Sequence, residues 1–175
     1  MLGIAREKAE FYNVSPLFLC QKADELDLYG TIDSCICTLD SVNHITDYDE
    51  LCRAFDKVSL FMEKGGLFIF DANTEYKHKV VLGDNTFVTD DGELYTVWSN
   101  ENDGNIVNIT LDFFLKKGDM YERFSEEFSE RAYTDEELKN ALENAGFETV
   151  AVYGDMTFDA PKPDEERKIF IARKI

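Results

Sequence analysis

The segment from Ser34 to Asn73 restricts the possible folds of this chain more than any other segment. It begins with a short run of low charge, Ser34–Leu39, and ends with a continuous apolar run, Leu67–Phe70. Such runs are typical of strands that are covered on both faces. Between them, apolar residues at three- and four-residue spacing predict an amphipathic helix; they are Tyr48, Leu51, Cys52, Phe55, Val58, Leu60 and Met62. A strand, a helix and a strand of these lengths predict a crossover with parallel strands.

Two adjacent glycines, Gly65 and Gly66, separate the predicted helix from the second predicted strand. Glycine adopts the left-handed conformation at a helix C-cap without a steric penalty, and helices often end at such a residue. We therefore expect the helix to continue up to this pair and to end there.

Polar residues follow both predicted strands at the point where each strand ends. The first strand is followed by Asp40, Ser41, Asn43 and His44, and the second by Asp71 and Asn73. In open parallel sheets, ligands bind outside the carboxyl ends of the strands. Helix capping explains Thr46 and Asp47, and the residues after the second strand could simply form a turn without binding a ligand. Neither explanation accounts for Asp40, Asn43 and Asp71 together, which favours a site.

The charge of the chain restricts its possible partners. The 175 residues include 36 acidic and 18 basic residues, for a net charge of −18 at pH 7. This charge argues against a nucleic acid or an anionic membrane as a partner. No apolar run is long enough to span a bilayer, and the first residues lack a signal-peptide pattern. The length predicts one domain, or one domain with a sizeable insertion.

The four cysteines lie within apolar strand or helix patterns; they are Cys20, Cys35, Cys37 and Cys52. We interpret them as small buried thiols of a cytoplasmic protein. Because no second cysteine pair and no nearby histidine accompany Cys35 and Cys37, we predict no metal site.

The first and last parts of the chain predict further elements of an α/β core. Met1–Phe11 has the pattern of a helix without an N-terminal cap, and Leu17–Cys20 that of a short strand. Thr134, with Glu137 three residues later, predicts a capping box at the start of another helix. Two strands follow without a helix between them, and we expect them to form an antiparallel pair at the sheet edge; they are Thr149–Tyr153 and Lys168–Ala172.

An antiparallel insertion interrupts this core. Residues 77–132 contain four runs that are rich in β-branched and aromatic residues, with Gly and Asp or Asn in the short connectors. This pattern is typical of successive hairpins. We therefore expect a core made of residues 1–76 and 133–175, with residues 77–132 as a β meander that forms a lid.

The order and spacing of three motifs resemble the class I S-adenosylmethionine-dependent methyltransferases. The motifs are Asp40–Asn43, the turn and strand from Gly65 to Asn73, and Ala145–Phe147 after the last helix. The resemblance covers nearly the whole chain and is closest to small bacterial members with a β-rich insertion over the site. It implies a Rossmann-like, mostly parallel sheet with the strand order 3-4-5-7-6, in which Leu17–Cys20 is strand 3 and Ser34–Leu39 is strand 4.

Two departures from the family pattern concern the cofactor. The family begins with a strand and a Gly-rich loop around the methionine part of the cofactor, and its second strand ends in an acid that binds the ribose. This sequence has neither and begins at a position that resembles the next helix. Lys22 also occupies the place of an acid that meets the adenine amine, and a lysine cannot accept a hydrogen bond; Asp24 could take this role only through a shift in register. The resemblance therefore implies a truncated methyltransferase; the alternative is an inactive relic that serves as a binding or assembly module.

The resemblance also implies roles for individual residues. The residues beside the cofactor are Gln21, Lys22, Ala23, Thr38, Leu39 and Asp40. Those that would act in catalysis near the acceptor are Asp40, Asn43 and His44. Those that would line the substrate side of the cleft are Asp71, Asn73, Arg131 and Tyr133. His44 is the best candidate base because an imidazole titrates near neutral pH, although it could be only a surface residue.

Two of these residues have simpler explanations, since Arg131 could pair with a surface acid and Tyr133 could serve packing. A small-molecule methyl acceptor suits the acidic charge of the chain. A nicotinamide-dependent enzyme is disfavoured, because the sequence has no G-x-G-x-x-G motif.

Without strands 1 and 2, one edge of the strand at Ser34–Leu39 lacks a partner. Unpaired strand edges present amides and carbonyls that favour pairing with another strand. Either Leu17–Cys20 moves across to this edge, or a second copy of the chain supplies the missing strand. The second possibility predicts a homo-oligomer.

Overall fold

A computed structural model describes all residues from Met1 to Ile175 and contains two four-stranded sheets. The elements are, in chain order, α1 (Leu2–Phe11), β1 (Ile32–Cys37), α2 (Tyr48–Phe61), β2 (Met62–Asn73), β3 (Thr86–Asp90), β4 (Leu94–Asp103), β5 (Ile106–Lys117), β6 (Met120–Arg131), α3 (Asp135–Asn144), β7 (Phe147–Gly154) and β8 (Arg167–Lys174). A 3-10 turn at Ala23–Glu25 and a π-helical segment at Lys77–Leu82 complete the structure.

The first sheet has the strand order β1-β2-β8-β7 and forms the centre of the α/β core. Strands β1 and β2 are parallel, as the crossover pattern predicts, whereas β8 is antiparallel to both β2 and β7. The second sheet, β3-β4-β5-β6, is an antiparallel meander between β2 and α3. The predicted fold class, an α/β core with an inserted β meander, is confirmed.

One predicted strand does not form. Residues Leu17–Cys20 lie outside both sheets, and Leu17 is 69% exposed. The first sheet therefore contains only the last four strands of the expected order 3-4-5-7-6, and one of its three pairings is parallel. A run of four residues gains little from an extended conformation unless a neighbouring strand pairs with its amides and carbonyls. Strand β1 pairs with β2 alone, so its other edge stays open.

A cluster of phenylalanines joins α2 to the first sheet. Phe55 of α2 packs against Phe68 and Phe70 of β2, with ring centroids 5.3 Å apart in both pairs. Phe70 also stacks on Phe170 of β8, with centroids 5.0 Å apart. All of these side chains are at most 2% exposed. Burial of such large apolar side chains is the main stabilising contribution, and here it fixes α2, β2 and β8 relative to one another.

The two core helices begin at the predicted caps. The Asp47 carboxylate accepts a hydrogen bond of 2.9 Å from the Glu50 amide at the start of α2. At the start of α3, Thr134 and Glu137 form the predicted capping box. These side chains satisfy amides that have no partner within the helix.

The glycine pair has a different function from the one that we predicted. Helix α2 ends at Phe61, four residues before Gly65, and Met62 already belongs to β2. Gly65 has φ +83°, and Gly66 lies where the β1–β2 register shifts. A Cβ atom on Gly66 would lie 2.6 Å from the Asp33 carbonyl oxygen. The pair therefore allows the two strands to approach closely instead of ending the helix.

Gly66→Ala is expected to destabilise the fold by about 2–3 kcal/mol, because the added methyl group forces β1 away from β2. Gly30→Ala is a matched control, since no atom lies within 4 Å of a Cβ built at that position. Urea unfolding of the two variants measures the difference. Equal midpoints for both variants would contradict the close approach at Gly66.

The cysteines are all free thiols, and they are less buried than we predicted. Cys20 is exposed because the segment around it does not join a sheet, and the other three are half-buried. Burial raises the pKa of Cys37 to about 11, which keeps this thiol protonated and unreactive. None of the helices, of which α2 with 14 residues is the longest, has the length and apolar character needed to cross a membrane.

Candidate functional site

The polar residues after β1 and β2 lie together, as the strand pattern predicts. The Asp40 amide donates a hydrogen bond of 3.2 Å to Asp71 Oδ1. Leu39 and Asp40 have φ values of +61° and +50°, a conformation that residues with a side chain rarely adopt. Such backbone strain often marks a ligand-binding loop. The chain turns sharply here and brings Asp40 over the end of β2.

Asn43 connects this loop to two other parts of the chain. Its Nδ2 donates to the Asn73 carbonyl at 3.1 Å and to the Arg131 carbonyl at 2.9 Å, and its Oδ1 accepts from the Asn73 amide at 2.8 Å. The side chain is 0% exposed. Both of its donors are bound within the protein. Asn43 therefore holds the loop after β1, the end of β2 and the end of β6 in one arrangement.

The side chain of Asn73 is the centre of the polar network. Its Nδ2 donates to Asp40 Oδ2 at 2.7 Å and to Glu130 Oε2 at 3.2 Å. Its Oδ1 accepts a hydrogen bond of 3.0 Å from Lys77 Nζ. Asn73 thus links the strand-end carboxylate Asp40 to the last strand of the meander and to the π-helical segment.

The sequence did not predict Arg167, which joins the two strand-end carboxylates. Its Nη1 donates to Asp71 Oδ2 at 2.9 Å, and its Nη2 donates to Asp40 Oδ2 at 3.3 Å. Arg167 opens β8 and pairs in register with Asn73. In the sequence it follows the acidic loop around Asp164, and its position opposite Asn73 depends on a strand register that a single sequence does not specify.

Two further residues that the sequence did not predict, His78 and Glu130, form a buried pair. His78 is 0% exposed; its Nε2 lies 2.9 Å from Glu130 Oε2, and its Nδ1 lies 3.0 Å from the Thr74 carbonyl oxygen. Burial acts to raise the pKa of Glu130, but the hydrogen bonds from His78 and Asn73 outweigh burial and hold its pKa below the ordinary value. Glu130 is therefore a carboxylate near neutral pH, and it faces the site from the meander.

The candidate base His44 lies beside this carboxylate. Its Nε2 is 3.9 Å from Glu130 Oε1, and its ring centroid is 5.2 Å from that of Phe128. The His44 side chain is 44% exposed, so a ligand can reach the ring. Asp40 is also partly accessible, with a side chain that is 20% exposed.

Glu130→Gln is expected to weaken the dependence of stability on pH in the acidic range. Because the folded-state pKa of Glu130 is depressed, its contribution is complete above the ordinary value of 4.5 and is lost as the pH falls through the folded-state pKa. We expect the variant to lose about 1–3 kcal/mol at neutral pH and less than that in acid. Urea unfolding across this range measures both effects.

The control for this pH series is Glu127→Gln, because Glu127 is exposed and lies on the opposite face of β6. We expect the control to keep the pH dependence of the parent chain. A Glu130→Gln curve that runs parallel to the control curve at every pH would contradict the buried pair.

Arg131 and Tyr133 lie where the meander returns to the core. Arg131 Nη2 donates to Glu137 Oε1 at 2.7 Å, and Nη1 donates to the Thr46 carbonyl at 3.2 Å. Tyr133 is 2% exposed and donates its hydroxyl proton to the Ile45 carbonyl. Burial raises the pKa of Tyr133 well above its ordinary value. These contacts fix the position of the loop after β1. A contact of Arg131 or Tyr133 with the substrate stays a prediction.

Three of the six residues expected beside the cofactor line two adjoining cavities, whereas Leu39 and Asp40 line neither. Ala23 and Thr38 line a mostly apolar cavity of about 350 Å³, which is within the size range of small-molecule sites. Lys22 and His44 line a neighbouring cavity of about 220 Å³. Gln21 instead closes its own loop, since its side chain exchanges two hydrogen bonds of 3.1 Å with the backbone of Asp27.

Known proteins with similar sequences are methyltransferases by name. No family model matches the chain. A protein of Geobacillus sp. (strain WCH70) is 30% identical in an alignment of 177 positions, which covers 99% of this chain and 72% of the relative. YqeM of Bacillus subtilis (strain 168) is 29% identical in an alignment of 178 positions, which covers 99% of this chain and 71% of the relative. Both carry methyltransferase names.

Solved structures agree with these sequence relatives. The crystal structure of a S-adenosylmethionine-dependent methyltransferase from Clostridium acetobutylicum ATCC 824 matches with a TM-score of 0.94 and 32% identity, over 99% of this chain and 70% of that chain. The CcbJ methyltransferase from Streptomyces caelestis matches with a TM-score of 0.83 and 17% identity, over 100% of this chain and 75% of that chain. The second likeness concerns the fold alone.

Proposed function

Because the chain belongs to the class I S-adenosylmethionine-dependent methyltransferases, we propose that it methylates a small-molecule acceptor at the carboxyl ends of β1 and β2. The proposal rests on one observation: Asp40 and Asp71, which lie at the carboxyl ends of the neighbouring parallel strands β1 and β2, are joined by the two arms of Arg167. This is the edge at which α/β sheets bind ligands. The net charge of −18 favours a small acceptor over a nucleic acid.

The apolar cavity beside β1 supports a place for the cofactor. Ala23, which lines this cavity, would contact the adenine, and Thr38 with the strained Leu39–Asp40 turn would border the methionine end. Bound S-adenosylmethionine supplies a methyl group that its sulfonium has already activated, so the protein contributes alignment and exclusion of water. Lys22 offers no acceptor for the adenine amine.

The acceptor would lie between the loop after β1 and the meander. His44 is the exposed titratable group at this position, and it can remove a proton from a nucleophile that must lose one. The Asp40 side chain reaches the same space, and the hydrogen bonds of Asn43 and Asn73 fix the loop in position. Asp71 is oriented by Arg167 and by the Asp40 amide.

Isothermal titration calorimetry with S-adenosylmethionine tests the proposal. We expect saturable binding in the micromolar range, and an affinity about tenfold lower in Asp40→Asn, which removes a charge from the site. Asp33→Asn is the control, because Asp33 is an exposed residue of β1, the strand that precedes Asp40. Absence of heat with a folded chain would overturn the proposal and favour the alternative, a binding or assembly module without catalysis.

We also propose that the open edge of β1 pairs with the same edge of a second copy. This edge has no partner strand, Ile36 on it is 68% exposed, and the apolar cavity lies beside it. Multi-angle light scattering at micromolar concentration is expected to give a dimer for the parent chain and a monomer for Ile36→Lys. Leu60→Lys, at an exposed position of α2, should remain a dimer. A monomeric parent chain would contradict the pairing.

A further inference from the structure

One face of the meander points towards the candidate site. Phe128 and Glu130 are two residues apart on β6, and side chains alternate along a strand, so both lie on the same face. Phe128 contacts the His44 ring, and Glu130 contacts His78. We call this side of the second sheet the site-facing face.

The strand registers identify the other residues of this face. Trp98 pairs with Leu111, which pairs with Glu126, and Phe113 pairs with Phe124. The Phe113 and Phe124 rings are stacked with centroids 4.9 Å apart. Trp98 also makes an edge contact with Phe87 of β3, at 6.0 Å between centroids. An aromatic surface therefore extends outward from His44 and Phe128 along the meander.

No other part of the chain covers the outer half of this surface. Phe87 is 38% exposed and Phe124 is 48% exposed. Exposed aromatic side chains that continue directly from a candidate site are typical of a binding surface.

Apart from Lys22, which lines the cavity beside His44, the charged residues around this surface are acidic or already have a partner. Glu126 lies in the row of Trp98 and Leu111, is exposed, and forms no ion pair in the structure. Arg123 lies on the opposite face, where it binds Asp112. In the polar network, Arg167 is held by two carboxylates and Lys77 by Asn73. A ligand on this face therefore meets unpaired negative charge beside aromatic rings.

We propose that the methyl acceptor is a cation with a flat apolar body, which packs on Trp98 and Leu111 while Glu126 binds the positive charge and a separate, uncharged nucleophile of the same molecule receives the methyl group. A cation gains both from a carboxylate and from an aromatic face, whereas an anionic acceptor would be repelled. The inference rests on the proposed function, because it identifies the substrate class of the same site.

The only tryptophan of the chain is on this face, so its fluorescence reports on occupancy. We expect phenethylamine to change Trp98 fluorescence saturably in the millimolar range. Phenylacetate, which has the same ring and the opposite charge, and ethylamine, which has the same charge and no ring, should produce no saturable change. Equal titration by phenethylamine and phenylacetate, or no titration by either, would overturn the inference.

Matched variants on β6 test whether Glu126 binds the positive charge of the ligand. Glu126→Gln is expected to weaken phenethylamine binding about fivefold. Glu127→Gln, at the next residue on the opposite face, should leave binding unchanged. An effect of the same size in both variants would show a general charge effect and overturn the assignment.

Two readouts separate this inference from its premise and from a rival occupant. If phenethylamine does not bind but calorimetry still detects S-adenosylmethionine, the acceptor class alone is rejected. If phenethylamine binds but S-adenosylmethionine does not, the proposed function alone is rejected. If a second copy of the chain instead binds to the aromatic surface, the protein would be a dimer that both the Phe124→Ser variant and added phenethylamine dissociate. That result would also overturn the inference.

Discussion

Replacing Asn43 with alanine is expected to lower the free energy of unfolding by about 3–5 kcal/mol, because it leaves three buried backbone groups without a partner. These groups are the carbonyls of Asn73 and Arg131 and the amide of Asn73. Urea unfolding followed by circular dichroism measures the loss. Asn43→Asp should be similarly unstable, since a carboxylate cannot donate to the two carbonyls.

Ser41→Ala is the control for Asn43, since it removes an exposed hydrogen bond of 2.7 Å from the same loop. We expect its unfolding midpoint to stay within error of the parent chain. If Asn43→Ala behaves like this control, the side chain does not connect the three segments.

Replacing Arg167 with methionine is expected to destabilise the chain by about 2–4 kcal/mol, since it leaves two partly buried carboxylates side by side without a cation. The change should also reduce S-adenosylmethionine binding and methyl transfer, because repulsion moves the Asp40 turn away from Asp71. Arg167→Lys should be intermediate, as a lysine lacks the two arms that reach both carboxylates.

Arg173→Met is the matched control for Arg167, because Arg173 is an exposed residue of the same strand β8. Unfolding midpoints and binding heats together decide the outcome. If the two methionine variants have the same stability and affinity, the bridge between the strand ends has no energetic role.

Features that depend on neighbouring residues could be read from the sequence. The amphipathic stripe of α2, the capping box at Thr134 and the hairpin connectors of the meander all involve residues a few positions apart, and all three are confirmed. The meeting of Asp40 with Asp71 was also predictable, because a crossover places both strand ends at one edge.

Features that depend on distant pairing could not be read in this way. Arg167 is 127 residues from Asp40, and Glu130 is 52 residues from His78. Their contacts follow from the register of β8 with β2 and from the return of β6 to the core, which local pattern does not determine. The prediction at Leu17–Cys20 was wrong for a related reason, since strand propensity does not supply a partner strand.

The hydrogen bonds of Asn43 also have a dynamic consequence. Since one amide holds both the turn beside Asp40 and the carbonyl of Arg131 at the end of β6, a displacement of either segment strains the other. Ligands bound at these two places should then influence each other's affinity, and thermodynamic linkage requires that influence to be equal in both directions. A cation bound on the aromatic surface would change the affinity for S-adenosylmethionine by the same factor by which the cofactor changes the affinity for the cation.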